Sequence, residues 1–276
     1  MTDRRERASE PNESESGEIE SENAGTEPPV DAPADASAGA SAGYDALAES
    51  ADELGPDASP WGDSHFQRHY SWPAARDVLP AVDDRRVLLA GCGRGDHVGW
   101  FLDRGASVVG LDASEAAIRT ARDRFDEEAN ATFRRADLTD SLDFDDGAFD
   151  LVFSHLVLGH VEDWKPVFAE FRRVLGERGT FAFAVVHPKY LRRKDAVENY
   201  YDVQRIDVAW PGAVIPTYYR PMRAVVSPLV AVGFRLEAFE EPKPRDSFRE
   251  YAPERHEHAS RSPQVLCVRA RTASRP

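Results

Sequence analysis

Three glycines stand at alternate positions in "VLLAGCGRGDHVGWFL" (Val87–Leu102), at Gly91, Gly93 and Gly95, between an apolar run and an amphipathic one. Glycine suits a backbone that turns sharply or approaches a ligand closely, because it has no Cβ. Between a strand and a helix, such a loop is either a tight turn or one wall of a nucleotide-like site. A dinucleotide fingerprint would place glycine at position 96, which is Asp96, and no Lys-Ser or Lys-Thr pair follows for a phosphate loop. Asp96 would repel a pyrophosphate at the helix N-terminus, whereas it could face a cation.

Two further carboxylates close later strands. Asp112 ends "ASVVGLD", where it either accepts hydrogen bonds from ribose hydroxyls or caps the next helix. Asp137 ends "RAD" and Leu138 follows, a side chain and an amide that could read an adenine edge. Three strand ends agreeing point to a nucleoside more strongly than any one of them. Cys92, with no second cysteine near it, reads as a small residue that fits the loop rather than as a nucleophile. Asp145 and Asp146 before Gly147 read as a solvated turn, and no metal is expected.

The elements that must position these residues alternate in type. Short apolar runs at Val87–Ala90, Ala106–Asp112, Ala131–Asp137, Phe149–Ser154 and from Gly179 onward read as strands. Between them, His97–Arg104, Glu115–Glu128 with Ser114 as its cap, and Trp164–Leu175 read as helices. That order predicts an α/β fold, a doubly wound and mainly parallel sheet covered by helices. A helix at Met222–Val232 and two strands, Phe234–Pro242 and Gln264–Arg271, follow. With only a polar loop, Lys243–Pro263, between them, those strands predict an antiparallel pair at the sheet edge.

Residues 187–220 break the alternation. They hold His187, Tyr190, Tyr200, Tyr201, Trp210, Tyr218 and Tyr219 among prolines and glycines, and are expected to form an aromatic-rich lid or substrate insertion rather than another strand–helix unit.

The chain of 276 residues carries a formal charge of −15, most of it near the start, where Glu, Ser, Ala, Pro and Gly predominate. Residues 1–57 cannot bury enough apolar surface to offset their ordering entropy and are expected to be a disordered acidic tail, leaving 58–276 as the folded domain. Only four lysines occur among 34 basic residues, the acidic and lysine-poor balance of a salt-adapted protein. No run of about 20 apolar residues, no secretory signal and no basic stripe is visible. The expected protein is cytoplasmic, with a small-molecule partner and neither nucleic acid nor membrane; the sequence sets no oligomeric state.

"VLLAGCGRGDHVGWFLDRGASVVGLDAS", "RADL" and "FDDGAFDLVFSHLVLGHVEDWKPVFAEFRRVLGERGTFAFAV" together resemble class I S-adenosylmethionine-dependent methyltransferases, in particular the type 11 group of small-molecule enzymes. The resemblance is strong over residues 85–186 and looser in "HYSWPAARDVLP" and "YYRPM". It implies S-adenosylmethionine as cofactor and a Rossmann-like sheet of seven strands, order 3-2-1-4-5-7-6, with the last strand antiparallel. By the same resemblance Gly91, Cys92 and Gly93 would pass beside the cofactor and Asp112 would hold the ribose, while Gly95 is expected at the site as the end of the loop that lines the crevice. Ala113, Asp137 and Leu138 would border the adenosine, and Ser154 and His155 would face the methionine part. The group has an acidic residue two places before the first glycine; here that place is Leu89, which Asp96 or a backbone carbonyl would have to replace.

Methyl transfer from a sulfonium requires alignment of the acceptor and exclusion of water, and needs no metal. If the acceptor must lose a proton, His155, His160 and His187 are candidate bases, with His160 equally placed to anchor the turn into the next helix. Tyr219 is a further catalytic candidate. Tyr70, His187, Tyr218, Tyr219 and Arg220 are candidate substrate residues, Arg220 as a partner for an anionic group. Two alternatives remain at this level: a non-catalytic module that binds S-adenosylmethionine, and a nicotinamide-dependent oxidoreductase.

Overall fold

The structure, a computed structural model, describes residues 39–192 and 197–273. A helix α1 (Ala40–Glu49) opens the described chain, and after an irregular stretch a π-helical turn, Gln67–Ser71, leads into α2 (Trp72–Asp77). The alternating part follows as β1 (Arg86–Ala90), α3 (Val98–Leu102), β2 (Ser107–Asp112), α4 (Glu115–Arg124), β3 (Ala131–Arg135), β4 (Phe149–His155), α5 (Trp164–Val174) and β5 (Leu175–Val186). Then come α6 (Pro188–Arg192), β6 (Gln204–Trp210), β7 (Ala213–Tyr219), α7 (Met222–Ala231), β8 (Phe234–Glu240), α8 (Ser247–Tyr251), α9 (Pro253–Arg261) and β9 (Val265–Thr272).

Seven strands form one sheet in the order β3-β2-β1-β4-β5-β9-β8, and β6 pairs with β7 separately. Counting only the strands of the large sheet, this is the expected 3-2-1-4-5-7-6. β1 through β5 pair in parallel, and β9 runs antiparallel to both β5 and β8. The reversal of strand order at β1 and β4 opens a crevice beyond their carboxyl ends, where a doubly wound sheet binds its ligand.

Each face of the sheet is buried under helices, so the central strands are apolar throughout. On one face Leu88, Val152, Phe181 and Phe183 pack against Phe168 and Phe171 of α5 and Leu229 of α7. On the other, Val87, Leu89, Leu151 and Phe153 pack against α2, Phe101 of α3, Ile118 of α4 and Phe248 of α8. Ser114 caps α4 as expected, its Oγ accepting from the Ala117 amide at 3.0 Å.

Three expectations need correction. Residues 40–57 are not disordered: α1 is a packed helix whose Leu47 is fully buried with Trp61, Ala117 and Ile215. Its composition is Ala-rich, which favours helix, and two apolar side chains let tertiary packing stabilise a segment too short to be helical alone. Residues 1–38 of the expected tail lie outside the described residues. The Lys243–Pro263 stretch is mainly α8 and α9 rather than a loop, though the strands it joins are still antiparallel. Residues 187–220 contain the regular hairpin β6–β7, with Gly212 at φ +77° in its turn.

Candidate functional site

The glycine loop folds for reasons internal to the chain. Gly91, Gly93 and Gly95 all have positive φ, at +82°, +53° and +82°, a region that side chains with a Cβ avoid. A Cβ on Gly91 would sit 2.3 Å from Val157, one on Gly93 would sit 3.0 Å from Trp61, and one on Gly95 would sit 2.9 Å from Phe125. The space that each missing Cβ opens is thus taken by a protein side chain. Gly91, Cys92 and Gly93 still border a cavity of about 280 Å³ at the crevice; Gly95 does not, and faces α4 instead.

Asp112 joins that loop to the end of β2. Its Oδ2 accepts from the Gly93 amide at 2.8 Å and its Oδ1 from the Ser114 amide at 2.9 Å. Burial pushes its carboxyl up, while the two amides oppose that shift by favouring the ionised form. Ala113, Asp137, Leu138 and His155 border the same cavity, so these sequence-selected residues are brought together. Ser154 is not among them: it is buried and borders neither this cavity nor the next.

Asp96 borders the cavity, but its cation is internal. Arg124 donates to Oδ1 at 2.6 Å and the Gly62 amide to Oδ2 at 3.0 Å, which fastens the 60s segment over the loop. Leu89 is buried in the core. Cys92 is no activated nucleophile, because burial, with Asp112 beside it, pushes its thiol well up.

Buried His155 pairs with the partly buried His97, Nδ1 to Nε2 at 3.0 Å, with Trp72 stacked on His97 at 4.1 Å. Burial lowers both rings, His97 to about 3, so both are neutral near pH 7. The His155 Nε2 makes no well-formed hydrogen bond among the described residues, although the Ser71 backbone lies near enough to favour the protonated ring.

A second cavity of about 250 Å³ adjoins the first. Trp164, Val185, Val186, Leu191, Val208 and Trp210 make its walls largely apolar. Tyr44, Pro60, Gln67, Leu156 and His160 border both cavities and form the partition between them. At that partition Tyr44 Oη lies 3.0 Å from His160 Nε2, and His160 Nδ1 lies 2.8 Å from the Pro216 carbonyl. A carbonyl only accepts, so Nδ1 carries the hydrogen, and the free lone pair on Nε2 takes the Tyr44 hydroxyl. Burial holds His160 below the usual histidine range and Tyr44 above the usual phenol range.

Several candidate substrate residues lie elsewhere. Tyr70 is buried and borders neither cavity; its hydroxyl donates to the Pro242 carbonyl and accepts from the Gln264 amide. His187 also lies outside both cavities: Nε2 meets Glu241 at 2.7 Å and Nδ1 accepts from the Lys189 amide, so it holds the turn into α6. Strand alternation turns Tyr219 away, its hydroxyl bonded to the Tyr200 carbonyl, and places Tyr218 in the second cavity instead. Arg220 does border that cavity, donating to the carbonyls of Val161 and Glu162 and lying 4.0 Å over the Trp164 ring.

Tyr44 and Gln264 are the site residues that sequence reasoning missed. Tyr44 stands in a segment whose composition resembles a tail, and Gln264 is one amide at the head of an apolar strand, with nothing around it to mark a site.

The cavity at the glycine loop fits S-adenosylmethionine by the chemistry of its walls: a buried carboxylate with lone pairs to spare at β2, an apolar slot at Ala113 and Leu138, and polar groups beyond Gly93. A family described as a methyltransferase domain matches residues 88–183. A solved S-adenosylmethionine-dependent methyltransferase from Mesorhizobium loti is 30% identical, with a TM-score of 0.60, covering 73% of this chain and 97% of that one. The malonyl-[acyl-carrier protein] O-methyltransferase of Salmonella typhimurium is 29% identical over 54% of this chain and 59% of its own length. The ubiquinone biosynthesis O-methyltransferase of Alkalilimnicola ehrlichii is 35% identical over 31% of this chain and 35% of its own. The chain therefore spans less than two thirds of either O-methyltransferase.

Fold, glycine loop and strand-end carboxylates thus define a Rossmann-like methyltransferase. The chain belongs to the class I S-adenosylmethionine-dependent methyltransferases, and S-adenosylmethionine is its cofactor. The nicotinamide alternative falls with that membership.

Proposed function

We propose that the protein methylates an oxygen of a small molecule held in the second cavity, across the partition at Tyr44 and His160. One observation carries this reading: two cavities share a wall, and the wall holds a hydrogen-bonded phenol–imidazole pair. Gly91, Cys92, Gly93, Asp112, Ala113, Asp137, Leu138 and His155 would hold the cofactor in the first cavity. Bound there, S-adenosylmethionine supplies a methyl group already activated by its sulfonium.

The chain's part is alignment, dryness and a place for a proton. The half-buried partition and α1 keep water from the line between the cavities. An acceptor hydroxyl at the partition passes its proton to the Tyr44 oxygen as the Tyr44 proton moves to His160 Nε2, while the Pro216 carbonyl keeps the ring oriented. A neutral imidazole is available for this because burial keeps it unprotonated. Tyr70, His187 and Tyr219 take no catalytic part, being structural ties outside the cavities. The two O-methyltransferase relatives support oxygen as the acceptor atom.

The test incubates the full chain with methyl-labelled S-adenosylmethionine and a small-metabolite extract. The expected result is label in a small product, lost on His160→Gln with S-adenosylhomocysteine affinity kept. Label found only in macromolecules, or a fully active His160→Gln, would reject the reading.

A further inference from the structure

The second cavity carries two polar side chains that its own walls leave incompletely satisfied. Gln264 is 3% exposed, borders the cavity, and among the described residues its Oε1 has no hydrogen-bond partner. An amide oxygen buried without a donor is costly, and such groups in folded proteins are paired. Its backbone is fixed from both sides: the amide donates to the Tyr70 hydroxyl at 3.2 Å and the carbonyl accepts from the His187 amide at 2.9 Å. One side chain and one backbone amide outside the cavity thereby hold a residue that borders it.

Arg220 is the second. It is 4% exposed, and among the described residues no carboxylate lies within the 4.0 Å of an ion pair. Backbone carbonyls and the Trp164 face give it dipoles and a ring quadrupole, not a counter-charge. Lack of one is consistent with a guanidinium lowered to about 10 by burial, against the opposing pull of Asp163 and Glu162. Arg255, exposed above Phe66 and Phe248, borders the same cavity, so two cations face one acidic side chain there, the exposed Asp57.

Resting on the methyl-transfer reading, we propose that the second cavity takes a ring-bearing small molecule whose carboxylate pairs with Arg220 and whose hydroxyl or N–H group donates to Gln264. The ring answers the aromatic walls, Trp164, Trp210, Tyr190 and Tyr218. The carboxylate replaces a missing counter-ion with a charge-assisted hydrogen bond. The donor satisfies the Gln264 amide oxygen, which lacks a partner among the described residues.

The experiment titrates S-adenosylhomocysteine into the full chain first, then titrates the loaded protein with aromatic and alicyclic hydroxy acids. Each acid is paired with its methyl ester and with its analogue lacking the hydroxyl. The expected result is that at least one acid binds, about tenfold or more tighter than its ester and than its deoxy analogue, as for one lost buried hydrogen bond. Gln264→Leu should remove the preference for the hydroxyl while thermal stability of the unliganded protein holds or rises, because an unpaired polar group has gone. A purely structural glutamine would lose stability instead. Arg220→Gln should remove the preference for acid over ester, with Arg220→Lys retaining part of it if the Gln variant does not fold. Loaded protein that binds none of the panel, or binds acids no better than esters, overturns the substrate class alone. Failure to bind S-adenosylhomocysteine overturns this proposal together with the reading beneath it.

Discussion

The Tyr44 hydroxyl, carried by the helix that opens the described chain, donates to Nε2 of His160 in the turn after β4, at 3.0 Å and 116 positions away in sequence. The bond places a residue of α1 on the wall shared by both cavities. Asp45, next in the same helix, caps α4 by accepting from Ser114 Oγ at 2.6 Å and the Ala116 amide at 3.1 Å. Docking of α1 therefore completes both the partition and the end of the glycine-loop cavity.

Tyr44→Phe and His160→Gln should each lower kcat by about 10² or more, the usual contribution of a placed proton acceptor, with S-adenosylhomocysteine affinity changed by only a few fold. Since burial holds His160 below its ordinary value of 6.5, the base stays competent in mildly acidic solution. The acid limb of kcat in the wild type should accordingly lie below pH 6.5. A limb at or above that value would mean that another group titrates, and steady-state rates across pH decide it.

Asp112→Ala should weaken S-adenosylhomocysteine by about ten- to a hundredfold, through lost ribose contacts and through the Gly93 and Ser114 amides left without their acceptor, roughly 1–3 kcal/mol. Asp112→Asn keeps one acceptor and should fall between. Calorimetric titration measures both, and an unchanged affinity for the Ala variant would remove the ribose role.

Legibility in the sequence followed how local each signal was. The alternation of strands and helices could be anticipated because apolar runs, glycine turns and helical periods are read within a few residues, whereas the seven-strand order was implied only by the family resemblance. Asp112, Asp137 and Leu138 could be placed because strand ends of a parallel sheet meet on one edge. Tyr44 could not, since its position depends on α1 packing against β7, where a Cβ on Gly43 would lie 2.9 Å from Ile215. Tyr219 and Tyr218 were separable only by the pleat of a hairpin that the composition of 187–220 concealed. His187 and Tyr70 have the chemistry of site residues, yet their hydrogen bonds are spent on the backbone that holds Gln264 and on the start of α6.

Gly95→Ala should destabilise the fold and leave the cofactor cavity intact. A left-handed φ costs an L-residue about 1 kcal/mol, and the contact with Phe125 at 2.9 Å adds to it. Urea unfolding should show the loss, while the folded fraction binds S-adenosylhomocysteine as the wild type does. Weaker binding at unchanged stability would return Gly95 to the cofactor.

Acid should unfold the protein through its buried histidines. His97, at about 3 in the fold, and His155, well below 6.5, bind protons less readily than in the unfolded chain. The unfolded state therefore gains protons first as pH falls. Stability from these two groups is complete above 6.5 and declines below it, by up to about 1.4 kcal/mol per pH unit for each group. The decline stops only where the folded state also protonates, near pH 3 for His97. His97→Gln removes one of the two groups, and should make urea midpoints fall less steeply between pH 6.5 and 4 than in the wild type. Parallel midpoint curves for the two proteins would show that His97 is not buried as a neutral ring.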